Sequence, residues 1–273
     1  MDKLYIIKIG GNIIDDEEKL SLFLKSFATV EGKKILVHGG GKLATRIAEA
    51  MGVQQQMIDG RRITDAETLK IVTMVYAGYI NKNIVAQLQS FSCNTIGMSG
   101  ADGNVIKAHK RVAKTDYGFV GDIDEVNSEL LHTLLQINEA VVLAPITHDG
   151  KGQLLNTNAD TIAQEVAKAM SQLYETELIY CFEKAGVLLD VNDEASVIGT
   201  INSTSYAQLR AEQKIFAGML PKLDNAFAAI SNGVHKVIIG KAEELEHLID
   251  GTKGTTIVDE VKNTSSGDGG IYE

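Results

Sequence analysis

The stretch Tyr5-Ile6-Ile7-Lys8-Ile9-Gly10-Gly11-Asn12 decides the fold, because it has the pattern of a buried strand that ends in two glycines. Lys8 interrupts the apolar run, and a lysine inside a core strand costs free energy unless a negative partner or a site accepts its charge. Gly10 and Gly11 let the backbone approach a ligand that a Cβ would exclude. The stretch therefore predicts one side of a site for an anionic ligand.

A second stretch has the same design. The apolar strand Lys34-Ile35-Leu36-Val37-His38 ends in Gly39-Gly40-Gly41-Lys42, where a helix begins and its free N–H groups favour an anion. The glycines fit neither the Walker A nor the Gly-x-Gly-x-x-Gly pattern, and His38 stands near where a dinucleotide-binding fold needs an acidic residue. A glycine-rich turn without a ligand explains one such loop equally well, but two loops together favour a phosphorylated ligand between them.

Strands alternate with amphipathic helices through most of the chain. An acidic first turn opens the helix after the first strand, and another helix, from about Lys42 to Met51, follows the second strand. This order predicts an α/β fold with a parallel sheet and right-handed crossovers. Residues 104–127 are expected to form an antiparallel ribbon that covers one edge of the sheet like a lid. Further strands are expected at residues 95–98, 140–144, 177–181 and 235–240, and an edge strand at 255–258.

A long helix is predicted after Gly60-Arg61-Arg62-Ile63. Thr64-Asp65-Ala66-Glu67 has the pattern of a capping box, and apolar residues then recur with helical spacing as far as Leu88. The helix is apolar around more than one face. This surplus predicts a second contact beyond its own sheet, such as a subunit interface.

Composition excludes several classes of protein. The 273 residues are 44% hydrophobic and 23% charged, with a net charge of −10 and no basic block, so we expect no nucleic-acid partner. No segment reaches the roughly 18 apolar residues of a membrane span, and no secretory signal opens the chain. Cys93 and Cys181 are expected to be reduced thiols in a cytoplasmic protein, and neither they nor the six histidines have metal-site spacing.

Three further groups of residues are candidates for chemistry. Asn156-Thr157-Asn158-Ala159-Asp160 precedes a helix, and helix capping explains one or two of its three polar side chains but leaves another over. Lys222 follows a proline at a helix start, where the positive dipole disfavours a cation unless an anion binds nearby; a solvated lysine is the alternative. Arg61-Arg62 either binds a carboxylate or is a solvated basic pair.

These residues fit phosphoryl transfer better than nucleophilic catalysis. The sequence shows no Ser/His/Asp arrangement, and its candidate catalytic residues are lysines, the glycines of the two loops and one or two aspartates. Phosphoryl transfer needs little else, because it depends on positioning and on the stabilisation of charge.

The motifs, taken in order, resemble those of the amino acid kinase family. The matching stretches are Lys8-Ile9-Gly10-Gly11, Val37-His38-Gly39-Gly40-Gly41, Asp59-Gly60-Arg61-Arg62-Ile63-Thr64, Asn156-Thr157-Asn158-Ala159-Asp160 and Gly218-Met219-Leu220-Pro221-Lys222. The resemblance implies an open three-layer αβα sandwich around a mainly parallel sheet, in a single domain over residues 1–258. Residues 1 to about 165 would bind the acceptor and residues 166–258 ATP, and a polar tail, residues 259–273, would be frayed.

The glycine–arginine segment before the long helix is similar to the family members that phosphorylate N-acyl-glutamates. The resemblance therefore implies transfer of the γ-phosphoryl group of ATP, bound with Mg²⁺, to the γ-carboxylate of N-acetyl-L-glutamate in arginine biosynthesis. N-succinyl-L-glutamate is the alternative acyl-glutamate, and carbamate, aspartate and UMP are the acceptors of other family members. The resemblance also implies a homodimer through the long helix after Thr64.

The resemblance gives a role to each matching residue. Lys8 and Lys222 would flank the phosphoryl group during transfer, and Asp160 would hold both lysines in place. No residue of the chain would bind a metal directly. The phosphate-binding glycines would be Gly10, Gly11, Gly40 and Gly41, and the acceptor would contact Gly40, Gly41, Arg62 and Asn156.

Some positions depart from the family pattern. Sequences of the family usually carry Thr/Ser-Asp-Val before the glycine at position 186, where this chain has Phe182-Glu183-Lys184-Ala185, so the nucleotide contacts of this loop stay open. Ala101 stands where a lysine is frequent. Relatives that are inhibited by arginine carry an extra N-terminal helix, and because only seven residues precede Lys8 we expect no arginine feedback through such a helix.

Overall fold

A computed structural model of the chain describes residues 1–58, 61–215 and 219–259, with the backbone but not the side chain of Arg61. The tail predicted to be frayed lies outside the described residues beyond Asp259. Asp59-Gly60 and Gly218, which belong to two of the motifs, also lie outside them.

The described residues form strands β1 (Lys3–Ile9), β2 (Lys33–His38), β3 (Gln56–Ile58), β4 (Arg61–Ile63), β5 (Thr95–Met98), β6 (Ile106–Lys110), β7 (Gly121–Val126), β8 (Ala140–Leu143), β9 (Ile146–His148), β10 (Leu154–Asn156), β11 (Glu175–Phe182), β12 (Thr200–Ile201), β13 (Lys236–Lys241) and β14 (Thr255–Ile257). The α-helices are α1 (Gly11–Ile14), α2 (Glu17–Thr29), α3 (Gly41–Ala50), α4 (Ala66–Thr73), α5 (Asn81–Ser90), α6 (Ser128–Ile137), α7 (Ala159–Met170), α8 (Ser203–Ala211), α9 (Leu220–Ser231) and α10 (Leu245–Ile249). Short 3₁₀ turns lie at Asp102–Asn104, Glu194–Ser196 and Ala242–Glu244.

The main sheet has eight strands in the order β12-β14-β13-β11-β1-β2-β8-β5. All neighbours are parallel except β13 and β14, which confirms the prediction of an α/β fold with a mainly parallel sheet. The prediction of an edge strand at residues 255–258 was wrong, because β14 lies between β13 and β12. The edge is β12, whose two residues are too few to show an alternating pattern.

Helices cover both faces of this sheet, and β1 shows why. Ile7 and Ile9 belong to one core with helices α2 to α5, whereas Leu4 and Ile6 belong to a second core with helices α6, α7 and α9. Alternate side chains of a strand point to opposite faces, so a strand that is apolar at successive positions lies between two layers. The result is a three-layer arrangement whose sheet runs through strands of both halves of the chain.

A second sheet, in the order β10-β9-β6-β7, contains the predicted antiparallel ribbon as its β6–β7 pair. Bridges from Gly118 to Thr64 and from Val120 to Asn156 attach the ribbon beside the end of the main sheet. The sequence did not predict the two remaining strands, because each has only three residues.

The predicted long helix is α4, a π-helical segment at Met74–Ile80 and α5, which follow one another without a break. Its N-cap is Asp65, whose carboxylate accepts a hydrogen bond from the Thr68 N–H at 2.7 Å. The prediction of a capping box at Thr64 was wrong, because Thr64 is occupied in the bridge to the ribbon and the Asp65 side chain caps the helix one residue later. Most of its apolar residues face the core of the same chain, and the exposed ones are Met74 and Tyr79.

Candidate active site

The two predicted glycine loops lie side by side at the carboxyl ends of β1 and β2. The Gly39 N–H donates to the carbonyl of Ile9 at 3.1 Å, which ties the second loop to the first. Helix α1 begins at Gly11 and helix α3 at Gly41, and no side chain of the described residues caps either N-terminus. The first N–H groups of both helices are therefore available to an anion at one edge of the sheet.

Gly40 is required by both its conformation and its surroundings. Its φ of +145° is one that residues with a side chain rarely adopt, and a Cβ built on it would lie 2.3 Å from Cδ1 of Ile80. The chain therefore makes its turn into α3 directly against the long helix.

Lys8 has the negative partner that its burial demands. Its Nζ lies 2.7 Å from Oδ1 of Asp160, and the residue is only 8% exposed. Asn158, rather than Asp160, caps α7, because its Oδ1 accepts from the N–H groups of Asp160 and Thr161. Helix capping therefore explains Asn158 and leaves the Asp160 carboxylate for the lysine.

Lys222 approaches this ion pair from the first turn of α9. Its Nζ lies 3.6 Å from the ring centroid of Phe182, and the Nζ of Lys8 lies 5.7 Å from the same centroid. Burial lowers the pKa of Lys222, Asp160 opposes that shift and Lys8 adds to it. The structure thus brings both lysines and Asp160 around one ring, and Lys222 is not a fully solvated lysine.

Two cavities meet at Gly10, Gly11 and Gly41, which line both. The first, of about 250 Å³, is also lined by Lys8, Gly39, Gly40, Met57, Arg62, Tyr76, Arg111, Val120, Pro145 and residues 156–160. The second, of about 400 Å³, is also lined by Asn12, Ile13, Lys42, Cys181, Phe182, Glu183, Lys184, Gly186, Met219, Lys222 and Ile239. We call them the N-side cavity and the C-side cavity.

Arg62 and Asn156, for which the family resemblance implied contacts with the acceptor, both line the N-side cavity. The Arg62 guanidinium donates to the carbonyl of Gly41 and to Oγ1 of Thr45, each at 2.9 Å, and also contacts Gln55. Arg62 is 8% exposed, so it is not part of a solvated basic pair. The Asn156 amide donates to Oγ1 of Thr64 at 3.0 Å, which fixes its orientation at the cavity wall.

Arg111 also lines the N-side cavity, and the sequence analysis missed it. Its Nε donates to both carboxylate oxygens of Asp122, at 2.9 and 3.1 Å, across the β6–β7 ribbon. An isolated arginine in a polar ribbon carries no local signal, and only the register of the ribbon shows which face it occupies.

His38 lies at the end of β2 but is fully buried, and burial lowers its pKa to about 4. Its Nδ1 lies 2.8 Å from the carbonyl of Gly39, and its Nε2 lies 3.4 Å from the Asn81 amide. A neutral ring that donates from Nδ1 and accepts at Nε2 satisfies both contacts. His38 therefore supports the second glycine loop and carries no charge near neutral pH.

The described residues contain neither a cluster of metal ligands nor a helix that could cross a membrane. Their His, Cys, Asp and Glu side chains form no group of three or more that could hold a metal ion. None of the helices in the described ranges combines the length and the apolar character that a membrane crossing needs.

Comparison with known proteins identifies relatives along nearly the whole chain. The model of the amino acid kinase family matches residues 3–241. The acetylglutamate kinase of Cytophaga hutchinsonii is 56% identical over 262 residues, which is 94% of this chain and 99% of the relative. That of Bacteroides fragilis is 53% identical over 253 residues, 92% of this chain and 97% of the relative.

Solved structures share the fold at lower sequence identity. An N-acetylglutamate synthase from Neisseria gonorrhoeae, complexed with coenzyme A and N-acetyl-glutamate, superposes with a TM-score of 0.79 at 22% identity. The match covers 94% of this chain but 59% of that longer one. A carbamate kinase from Giardia lamblia bound to AMP-PNP has a TM-score of 0.67 at 15% identity, with 95% of this chain and 99% of that chain covered.

Proposed function

The chain belongs to the amino acid kinase family, and we propose that it transfers the γ-phosphoryl group of ATP to the γ-carboxylate of N-acetyl-L-glutamate. The products are N-acetyl-L-glutamyl 5-phosphate and ADP, and the reaction is a step of arginine biosynthesis. Relatives more than 50% identical over about nine-tenths of the chain are acetylglutamate kinases, which supports this acceptor.

The observation that carries the proposal is the position of the two lysines. Lys8 lines the N-side cavity and Lys222 the C-side cavity, and the Nζ atoms of both lie near the ring of Phe182, at 5.7 and 3.6 Å from its centroid. A phosphoryl group passing from one cavity to the other would have an ammonium group on each side. Such an arrangement stabilises the charge that spreads over the phosphoryl oxygens during transfer.

The remaining residues position the reactants. We assign the acceptor to the N-side cavity, where the Arg62 guanidinium and the Asn156 amide would bind its α-carboxylate and neighbouring atoms. The γ-carboxylate oxygen then attacks the γ-phosphorus while the bond to the β,γ-bridging oxygen breaks and ADP leaves. A carboxylate is already a nucleophile, so no general base is needed, in agreement with the neutral, buried His38.

The phosphate contacts follow from the loops. We propose that the N–H groups at Gly10, Gly11, Gly40 and Gly41 bind the phosphoryl oxygens, supported by the uncapped starts of α1 and α3. Asp160 would keep Lys8 and Lys222 in place. Its carboxylate forms an ion pair with Lys8, and its negative charge raises the pKa of Lys222.

The nucleotide would occupy the C-side cavity and bring Mg²⁺ with it. Magnesium in kinase sites is held mainly by substrate phosphates and water, with few protein carboxylates. Among the described residues, Asp160 and Glu183 are the carboxylates that line the two cavities, and Asp160 forms an ion pair with Lys8. Activity should vanish in excess chelator and return with Mg²⁺.

We also propose that the chain acts as a homodimer in the cytoplasm. Met74 and Tyr79, 54% and 59% exposed on the long helix, support a dimer contact there. Cys93 and Cys181, free and buried, suit a reducing compartment.

A coupled assay of ADP release tests the function. Purified protein is supplied with ATP, Mg²⁺ and one acceptor at a time: N-acetyl-L-glutamate, carbamate, aspartate or UMP. We expect turnover with N-acetyl-L-glutamate at a kcat/KM at least about 100-fold above that for the other acceptors, since a site that pairs polar groups of its substrate rejects analogues lacking them. Carbamate and UMP lack the α-carboxylate, and aspartate lacks the N-acyl group. Turnover confined to another acceptor would refute the proposal.

N-succinyl-L-glutamate is a second candidate acceptor, favoured by one observation. Arg111 brings a guanidinium to the N-side cavity, and the succinyl group has a second carboxylate that the acetyl group lacks. Asp122 already pairs with this guanidinium, which keeps N-acetyl-L-glutamate as the first candidate. Side-by-side kinetics on the two acyl-glutamates, for wild type and Arg111→Met, separate the candidates: only a succinyl acceptor loses affinity specifically in the variant.

A further inference from the structure

The loop between β11 and the glycine at position 186 carries residues that the proposed function does not use. The segment Phe182-Glu183-Lys184-Ala185 leads from the end of β11 to this glycine, and its first residue carries an aromatic ring. Phe182 ends β11, the strand that pairs with β1, and it lines the C-side cavity.

The orientation of the Phe182 ring is fixed by a stacking contact with Tyr180. It stacks on Tyr180, with 6.0 Å between ring centroids and an interplanar angle of 13°. Tyr180 is itself buried, and its hydroxyl donates to the carbonyl of Asp160 at 3.3 Å. The orientation of the ring is therefore coupled to the start of α7, which also carries the carboxylate that binds Lys8.

Lys222 needs a partner of this kind. It stands in the first turn of α9, where the helix dipole is unfavourable to a cation, and its side chain is partly buried. At 3.6 Å from the centroid, its ammonium is within the range in which the negative face of an aromatic ring attracts a cation. The ring also gives the long lysine side chain a defined position, which a solvated side chain lacks.

We propose that Phe182 is a positioning residue of the phosphoryl-transfer site, whose ring holds the Lys222 ammonium at the junction of the two cavities. The inference rests on the proposed function.

Kinetics of three variants test the role in turnover. Phe182→Leu keeps apolar bulk but removes the ring, and we expect kcat to fall about 5- to 30-fold, the range of a partly desolvated cation–π contact. The KM for N-acetyl-L-glutamate should stay within about twofold, because the acceptor binds in the other cavity. Phe182→Tyr, which retains the ring, should recover most of the lost kcat. Phe227→Leu is the matched control, since Phe227 lies on α9 with Lys222 but stacks on Tyr206.

A spectroscopic measurement reports the contact without turnover. In protein labelled with ¹³C-lysine, the Nζ-adjacent methylene of Lys222 should resonate upfield because of the ring current of Phe182. The Lys222→Arg variant assigns the signal by its loss. The signal should return to the position of solvated lysines in Phe182→Leu but not in Phe227→Leu.

The outcomes separate this inference from the proposed function. If wild type phosphorylates N-acetyl-L-glutamate but Phe182→Leu has an unchanged kcat, or Phe182→Tyr loses as much as Phe182→Leu, the positioning role is refuted and the kinase stands. If wild type transfers no phosphoryl group, the proposed function fails, and the NMR signal still decides whether the ring holds Lys222.

Discussion

At the scale of the residue, the positive charges of Lys8 and Lys222 are not balanced by Asp160 alone, and a ligand is needed to balance them. Two ammonium groups face one carboxylate, and burial already lowers the pKa of Lys222. A phosphoryl group between the lysines would supply the missing negative charge, which during transfer is spread over its equatorial oxygens and grows on the leaving oxygen. The lysines should therefore stabilise the transition state more than the bound substrates.

Lys8→Met tests this expectation, because it removes the charge and keeps the length of the side chain. We expect kcat to fall by a factor on the order of 100 or more, the usual cost of losing one preorganised charge, with a much smaller change in the KM for N-acetyl-L-glutamate. Steady-state kinetics measure both. Lys19→Met, at an exposed position of α2, is the matched control and should behave like wild type. A kcat of Lys8→Met within a few-fold of wild type would contradict the mechanism.

His38 should make the stability of the fold depend on pH. Burial lowers its pKa from 6.5 to about 4, so the unfolded chain takes up the proton first as the pH falls. The contribution of His38 to the free energy of unfolding is therefore fully present above pH 6.5. It is lost progressively as the pH falls toward 4, by about 3 kcal/mol in total. Urea unfolding at a series of pH values should show this decline in the free energy of unfolding.

The variant His38→Gln isolates the contribution of the imidazole, since other groups also titrate in this range. An amide keeps the capacity to donate and accept near Gly39 and Asn81 but cannot be protonated. The free energy of unfolding of the variant should therefore fall less than that of wild type between pH 6.5 and pH 4. Equal slopes would show that His38 does not titrate as its burial implies.

At the scale of the element, the turn from β2 into α3 sets the position of the second glycine loop. Gly40→Ala would place a Cβ against Ile80 at a φ of +145°. We expect the free energy of unfolding to fall by about 3 kcal/mol or more, because steric overlap adds to backbone strain. The KM for ATP should rise as the N–H groups move, and thermal unfolding with kinetics measures both effects.

Gly52→Ala is the matched control for the backbone term alone. Gly52 also has a positive φ, of +75°, but a Cβ there would meet no atom within 4 Å. Its cost should be about 1 kcal/mol with unchanged kinetics. Similar losses in the two variants would show that strain, rather than contact with the long helix, makes Gly40 necessary.

The sequence predicted elements in proportion to their length. Strand β5 was predicted with its observed bounds and strand β13 to within one residue at each end, because each has a clear apolar pattern between polar or glycine boundaries. The hairpin of β3 and β4 and the strand β12 were missed, since two or three residues show no periodicity. The pairing of β12 also depends on the distant strand β14, which a local pattern does not reveal.

At the scale of the whole molecule, the topology explains how distant residues form one site. The chain leaves β1 for β2 on one side, and β11 later returns to pair with β1 on the other. The cavities lie outside the carboxyl ends of these strands, at the point where the order of the sheet changes direction. The motifs with Lys8 and Asp160 follow strand ends and helix starts that are visible in the sequence. Phe182 and Arg111 could be connected with the site only from their tertiary neighbours.

The proposed homodimer is the property that the whole molecule leaves open to experiment. The long helix buries most of its apolar residues in its own core and leaves Met74 and Tyr79 exposed. We expect light scattering to give twice the 29.5 kDa mass of the chain for wild type. The double variant Met74→Asp/Tyr79→Asp should give the monomer mass, because a symmetric contact would bring the introduced charges together without solvent.

The matched control places the same charge on another exposed apolar position. Leu22 on α2 is 61% exposed, so Leu22→Asp should leave the dimer intact if the contact is specific to the long helix. The helix also supports Gly40 through Ile80, so loss of the dimer should loosen the second glycine loop. We therefore expect the monomeric variant to show a higher KM for ATP. A dimeric double variant would place the interface elsewhere, because two buried aspartates facing their symmetry copies are incompatible with association through that surface.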